Sequence, residues 1–126
     1  MSISRETTAK LIKPLEGAII RRLTAGDAVA AGELVSMQDD GYVDPSDATA
    51  TDEVVGVAVQ AAAAAGVRID VVTLGPVLCL SGATPGKTVF NSTTAGEPTE
   101  TDAGNSTAAG WAETSTILFV QPEHLA

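Results

Sequence analysis

Residues 67–90 hold the densest β-branched and aliphatic content in the chain, cut by Gly-Pro at 75–76 and by Pro-Gly at 85–86. Apolar runs of this length between Gly/Pro punctuators read as short buried strands joined by tight turns. The same pattern recurs on both sides. Ala18–Leu23 and Val54–Val59 read as strands, Tyr42-Val43 returns from a hairpin at Gln38-Asp39-Asp40-Gly41, and 108–113 with 116–120 form a closing pair. Asp-Gly at 40–41 suits the positive φ of a two-residue turn. Ala61–Ala65 is too short to nucleate a helix alone and is followed by Gly66, so a tight connection is expected there, with a one-turn helix as the alternative. The polar stretches 44–52 and 91–105 read as a surface loop and a long excursion.

About eight short strands with almost no helical period indicate an all-β chain, a small β-barrel or sandwich. The chain has 126 residues, enough for one domain burying roughly two thirds of its unfolded surface. Aromatics are only 3% of it, so Val, Leu, Ile and Ala must fill the core, which suits β-layers better than a large ligand cavity. There is also an internal echo. Residues 26–35 and 82–90 each place a glycine three positions before a buried Val, Gly32 before Val35 and Gly86 before Val89. Both read as a turn feeding a strand.

Residues 1–16 show no clear period, and Thr7-Thr8 and Pro14 count against a long helix. They are read as an extended, mobile N-terminal arm, with Ile3, Leu11, Ile12 and Leu15 as anchors, ahead of a single β domain at 17–126. Charge divides along the same line. The formal net charge is −9, yet residues 1–22 carry five basic side chains against two acidic ones, a net +3. The remainder carries only Arg68 and Lys87 against fourteen acids, a net −12. Such a body repels nucleic acid, and the basic front end is the place for attraction to an acidic partner.

Catalytic chemistry finds little support. Gly86-Lys87-Thr88 resembles the end of a phosphate loop, but the first glycine should stand at 81, which is Ser81, and Pro85 removes an amide. No helix pattern follows to supply a dipole. The acidic run Asp39 to Asp47 misses the calcium-loop spacing and lacks the bidentate ligand, and Gly56-Val57-Ala58 lacks the third glycine of a dinucleotide fingerprint. His124 is the only histidine, two residues from the end. The lone Cys79 sits in an apolar run, excludes an internal disulfide and cannot build a cysteine metal site. Neither has a positioned base, so no catalytic, cofactor-binding or metal-ligating residue is expected. Trp111 is expected as a core anchor of the closing hairpin. Asn91-Ser92-Thr93 and Asn105-Ser106-Thr107 fit the glycosylation pattern, which has no meaning without a secretory route. No apolar run approaches a membrane span and no secretory leader pattern opens the sequence, so synthesis in a cytoplasm is expected, without membrane or nucleic-acid partners.

Residues 23–35 (Leu-Thr-Ala-Gly-Asp-Ala-Val-Ala-Ala-Gly-Glu-Leu-Val), Val54-Val55-Gly56-Val57-Ala58, Asp70 to Val77 and Gly82-Ala83-Thr84-Pro85-Gly86 are similar to the capsid decoration, or cement, proteins of tailed bacteriophages. The similarity spans about residues 17–121. It implies a small β-barrel or β-tulip-like domain, a homotrimer, a place on the outer capsid surface of the virion, synthesis in a bacterial host, and an arm that orders on the shell. The expected partner is the major capsid protein, and no cofactor is implied. On this reading the arm adds to shell-protein edges by backbone pairing, with Ile3, Leu11 and Ile12 anchoring and Arg5, Lys10 and Lys13 supplying attraction. Two other classes remain open on the sequence: a carbohydrate- or surface-binding β-module, which would need exposed aromatics, and a nucleotide-binding protein using the Gly-Lys-Thr turn.

Overall fold

The computed structural model describes residues 3–102, 104 and 106–122. Twelve strands follow one another: β1 (Ser4–Arg5), β2 (Lys13–Pro14), β3 (Ile19–Thr24), β4 (Leu34–Met37), β5 (Val43–Pro45), β6 (Val54–Ala58), β7 (Arg68–Leu78), β8 (Leu80–Ser81), β9 (Thr88–Asn91), β10 (Pro98–Thr99), β11 (Ala108–Ala112) and β12 (Ile117–Val120). Two 3₁₀ turns, at Ala9–Leu11 and Ala48–Ala50, are the only helical segments among the described residues. The fold is an all-β small barrel.

Its centre is the antiparallel run β4–β6–β7, both faces of which are buried. Successive strand residues point to opposite faces. Leu34, Val57 and Val72 therefore face one apolar cluster, while Val35, Ala58 and Val71 face another. The first cluster is covered by β9, β11 and β12 through Val89, Ala109, Ala112, Leu118 and Val120, and by Ile12 from the N-terminal segment. The second is closed by the curl of β3 and β5, which brings Ala25, Val29, Val43 and Ile69 together. A parallel bridge from Ala25 to Val43, with Gly26 N–H donating to the Val43 carbonyl at 2.9 Å, joins the two ends of the curl. Both clusters are built from small aliphatic side chains.

The strand break expected at Gly75-Pro76 is absent. β7 runs uninterrupted for eleven residues, and the dipeptide marks where it changes neighbours. Before it, β7 pairs with β3 (Ile19 opposite Leu74, through to Thr24 opposite Arg68) and with β6 (Val57 opposite Val72). After it, β7 pairs with β12 (Val120 opposite Gly75, Ile117 opposite Leu78) and with β2 (Pro14 opposite Val77). Pairing on both edges overrides the local tendency to stop. Gly75 takes φ +107°, and a Cβ there would lie 2.8 Å from the Ala18 Cα. Pro76 has no N–H to strand at the changeover, and its carbonyl accepts the Leu15 N–H at 3.0 Å.

Other local expectations resolve the same way. The 38–42 hairpin is wider than two residues: Gln38 N–H donates to the Tyr42 carbonyl, Gly41 N–H to that of Gln38, and Gly41 takes φ +84°. Residues 61–65 form a tight connection without a helix, in which Ala62 exchanges backbone bonds with Val29 at 2.8 and 2.9 Å. The 91–105 excursion is anchored by β10 on β9. Gly32 and Gly86 have φ of +92° and +85°, and Val35 and Val89 behind them are fully buried, so the echoed segments are the same turn-to-strand device.

Ser36, Ser46 and Asn91, the buried polar residues of the described chain, form one network. The Ser36 hydroxyl donates to Ser46 Oγ at 2.7 Å, and Asn91 Nδ2 donates to Ser46 Oγ at 2.9 Å and to the Asp52 carbonyl at 3.0 Å. Asn91 Oδ1 accepts the Thr107 N–H at 2.8 Å. Buried polar groups are tolerated when satisfied in this way. The network ties β4 and the 46–52 loop to β9 and the start of β11.

Candidate functional site

The N-terminal segment lies along the outside of the barrel. Ser4 and Arg5 pair with Ser81 and Leu80, and Lys13 and Pro14 pair with Leu78 and Val77. Between them, Glu6 N–H donates to the Cys79 carbonyl at 2.8 Å, and the Ala9–Leu11 turn lifts the chain off the surface. The six candidate contact residues of this segment divide into two groups. Ile12 is 6% exposed within the core, Ile3 packs against the same cluster, and Arg5 Nε meets Glu97 Oε2 at 2.8 Å while its Nη1 donates to the Ala31 carbonyl at 3.2 Å. These three hold the segment to its own body. Lys10, Leu11 and Lys13 face solvent, Leu11 with 48% of its surface exposed.

The exposed edge continues beyond β2. β3 follows it along the same strand, β7, and residues 19–22 are exposed without exception. Ile19 and Ile20 flank a register shift in the β3–β7 ladder, and both side chains are left uncovered, with 52% and 42% of their surface exposed. Leu74, opposite Ile19, is exposed as well. Arg21 and Arg22 lie beside them; Arg22 Nη1 makes a 3.1 Å ion pair with Asp70, and Arg68 Nη2 donates to the Arg22 carbonyl at 3.1 Å. Lys10, Lys13, Arg21, Arg22 and Arg68 thus gather along one margin of an acidic body. The sequence places the charge there but does not signal the bare apolar pair at 19–20, whose composition is that of any buried strand.

The remaining chemical candidates are accounted for by structure. Gly86 N–H donates to the Ala112 carbonyl at 2.7 Å and Lys87 N–H to that of Thr84 at 3.1 Å, so these amides close a turn into β9. A phosphate loop needs such amides free. Burial pushes the Cys79 thiol up to about 12, leaving it an inert apolar side chain. In the 39–47 run, Asp40 and Asp47 accept the backbone N–H groups of Tyr42 and Thr49. Among the described residues no group of three or more His, Cys, Asp or Glu side chains is disposed to hold a metal ion. His124 lies outside the described residues. Trp111 is not a core anchor: it is 39% exposed on the outer face of β11, because strand alternation turns its neighbour Ala112 inward. It stacks on Phe119, opposite it in β12, with centroids 5.1 Å apart and planes inclined by 20°.

The described residues thus form a small β-barrel with a docked N-terminal strap and an exposed basic edge. The family model for phage cement proteins matches residues 8–73. The chain belongs to the phage cement protein family. A search of curated proteins returned no match. The matched span runs from the 3₁₀ turn of the N-terminal segment through the first half of β7, and so takes in the exposed edge and the β3–β7 curl. Membership makes this a capsid-decorating, capsid-stabilising structural protein of the virion surface.

Proposed function

We propose that this cement protein is a non-enzymatic clamp that assembles as a homotrimer and grips the major capsid protein on the outside of the phage head through its N-terminal arm, residues 1–16. The observation that carries this reading is the division of the arm. Ile3, Arg5 and Ile12 fasten it to the body, and Lys10, Leu11 and Lys13 face solvent. A strap fixed from within can present its outer backbone edge to an extended shell segment without a large ordering cost. Lys10 and Lys13 steer it toward acidic shell surface, and Leu11 supplies the apolar contact. Three arms in one trimer multiply weak contacts into firm retention. The protein is made in the bacterial host and acts without cofactor.

The test is co-sedimentation with expanded heads. Deletion of residues 2–13 is expected to abolish binding. Because that deletion also removes Ile12 from the core, a second variant, Lys10→Glu/Leu11→Ser/Lys13→Glu, leaves the fastening residues in place. Wild-type binding by this folded variant would refute the arm as the gripping element.

A further inference from the structure

We infer that the bare β3 ribbon is an interface between copies: Ile19, Ile20, Arg21 and Arg22 of one chain dock onto the acidic groove beside the 38–42 hairpin of the next. This rests on the self-association proposed above and assigns it to residues.

Both halves of the contact are on the surface of one molecule. The ribbon offers two uncovered isoleucines, Leu74 beside them, and two arginines. The groove, of about 460 Å³, is lined by Met37 and Val55 together with Asp39, Asp52 and Glu53, and exposed Tyr42 stands on the hairpin beside Asp40. Met37 and Tyr42 are each more than 40% exposed, large apolar side chains left uncovered at the margin of the barrel. Exposed apolar surface rimmed by charge marks an association site. Here the charges of the two sites are opposite, and Met37 offers the isoleucines an apolar contact within the acidic lining, whereas ribbon against ribbon would set arginine against arginine. Like charges brought together across an interface are unfavourable, and opposite ones fix partner and register.

The two patches lie on different elements, β3 with β7 on one side and the β4–β5 hairpin with β6 on the other. The contact is therefore heterologous, and it terminates only by closing into a ring. Within one copy β3 is held along β7, and its residues 19–22 stay exposed to solvent.

The experiment is mass in solution by light scattering on the full chain, with head co-sedimentation measured separately and circular dichroism confirming the fold. Wild type is expected at about three times the 12.7 kDa chain mass. Arg21→Glu/Arg22→Glu is expected to run as a single chain, and so is Asp39→Arg/Asp40→Arg. The fourfold variant carrying all these changes is expected to regain the wild-type mass, because both sides of the contact are reversed together. Ile20→Ser, which alters no charge, is a second probe of the ribbon should the arginine variant fail to fold, and is expected to lower the mass in the same way. A folded ribbon variant that keeps the wild-type mass overturns the inference. If it also loses head binding, the ribbon serves the shell protein instead. A wild-type chain that is monomeric at all concentrations but binds heads overturns the self-contact while leaving the cement reading standing.

Discussion

The guanidinium of Arg5 and the carboxylate of Glu97, 92 positions apart in the chain, meet at 2.8 Å in a mostly buried ion pair. This bond crosses from the N-terminal strap to the loop before β10, so it reports directly on whether the strap is docked. Arg5→Ala is expected to cost about 1.5–3 kcal/mol, as a hydrogen bond to a charged group does, and to speed exchange of the Glu6 amide, which donates to the Cys79 carbonyl. Ile12→Ala, which empties a core position, is expected to cost about 2–4 kcal/mol. Unchanged exchange at Glu6 in both variants would mean the strap is held by something other than these two side chains.

Gly75 sits where β7 passes from its β3/β6 neighbours to its β2/β12 neighbours. An alanine there must adopt φ +107° and push its Cβ to within 2.8 Å of the Ala18 Cα and 3.0 Å of the Gly17 carbonyl oxygen. Both obstacles are backbone, which cannot swing aside. Gly75→Ala is therefore expected to destabilise by about 2–4 kcal/mol. Chemical denaturation checks this, and a loss under about 0.5 kcal/mol, typical of a neutral surface change, would contradict the strained changeover.

The sequence made much of this architecture legible, and for local reasons. Gly32 and Gly86 could be read because a positive-φ turn ahead of an apolar run is a local event. The division between basic front and acidic body is likewise written in linear order. What escaped was decided by distant neighbours. Gly75-Pro76 carries a strong stop signal, and only pairing on both sides of β7 shows that it is a kink within one strand. Trp111 has the size of a core residue, but the inward parity of Ala112, Leu118 and Val120 sends it out. The Ser36–Ser46–Asn91 network and the docking of Ile12 join positions with no sequence relation. At the candidate site, Lys10, Leu11 and Lys13 could be picked out by charge and hydropathy, whereas Ile19 and Ile20 could not, because exposure depends on what the fold leaves uncovered.

Asn91 makes three side-chain hydrogen bonds in its network and, fully buried, has no solvent to fall back on. Asn91→Ala strands the Thr107 N–H and removes donors from Ser46 and Asp52. A cost of about 2–4 kcal/mol is expected, above that of an ordinary lost hydrogen bond, because buried partners are left unsatisfied. Thermal denaturation measures it. If Asn91→Ala and Ser46→Ala cost the same as the double variant, the two act as one unit, and simple additivity would argue against a connected network.

With the Gly86 and Lys87 amides bonded to Ala112 and Thr84, neither amide is free to surround a phosphate. ATP with magnesium is expected to leave the melting temperature unchanged. Lys87→Ala, an exposed position, is expected to alter stability by less than about 0.5 kcal/mol. Nucleotide-dependent stabilisation that vanishes in Lys87→Ala would overturn the assignment of this segment as a turn.

Asp44 gives the fold a built-in pH dependence. Its Oδ1 is enclosed without a hydrogen-bond partner, and its carboxyl is raised above the ordinary value of 3.8, first by burial and then by the negative charges of Asp27, Asp40 and Asp52. A raised carboxyl means that the folded chain holds a proton at pH values where the unfolded chain has released it. The stability this contributes is fully present below the unfolded value and is lost as pH rises through the folded one. Glu33 acts in the same sense, since burial raises it against the opposing pull of the Ala30 N–H and Arg5. Asp44→Asn keeps the side-chain shape and removes the charge. It is expected to melt above wild type near pH 7, with the difference shrinking toward pH 4 as the wild-type carboxyl takes up its proton. Melting curves across that range decide the point. An asparagine variant less stable than wild type at neutral pH would mean that the ionised carboxylate has a stabilising partner.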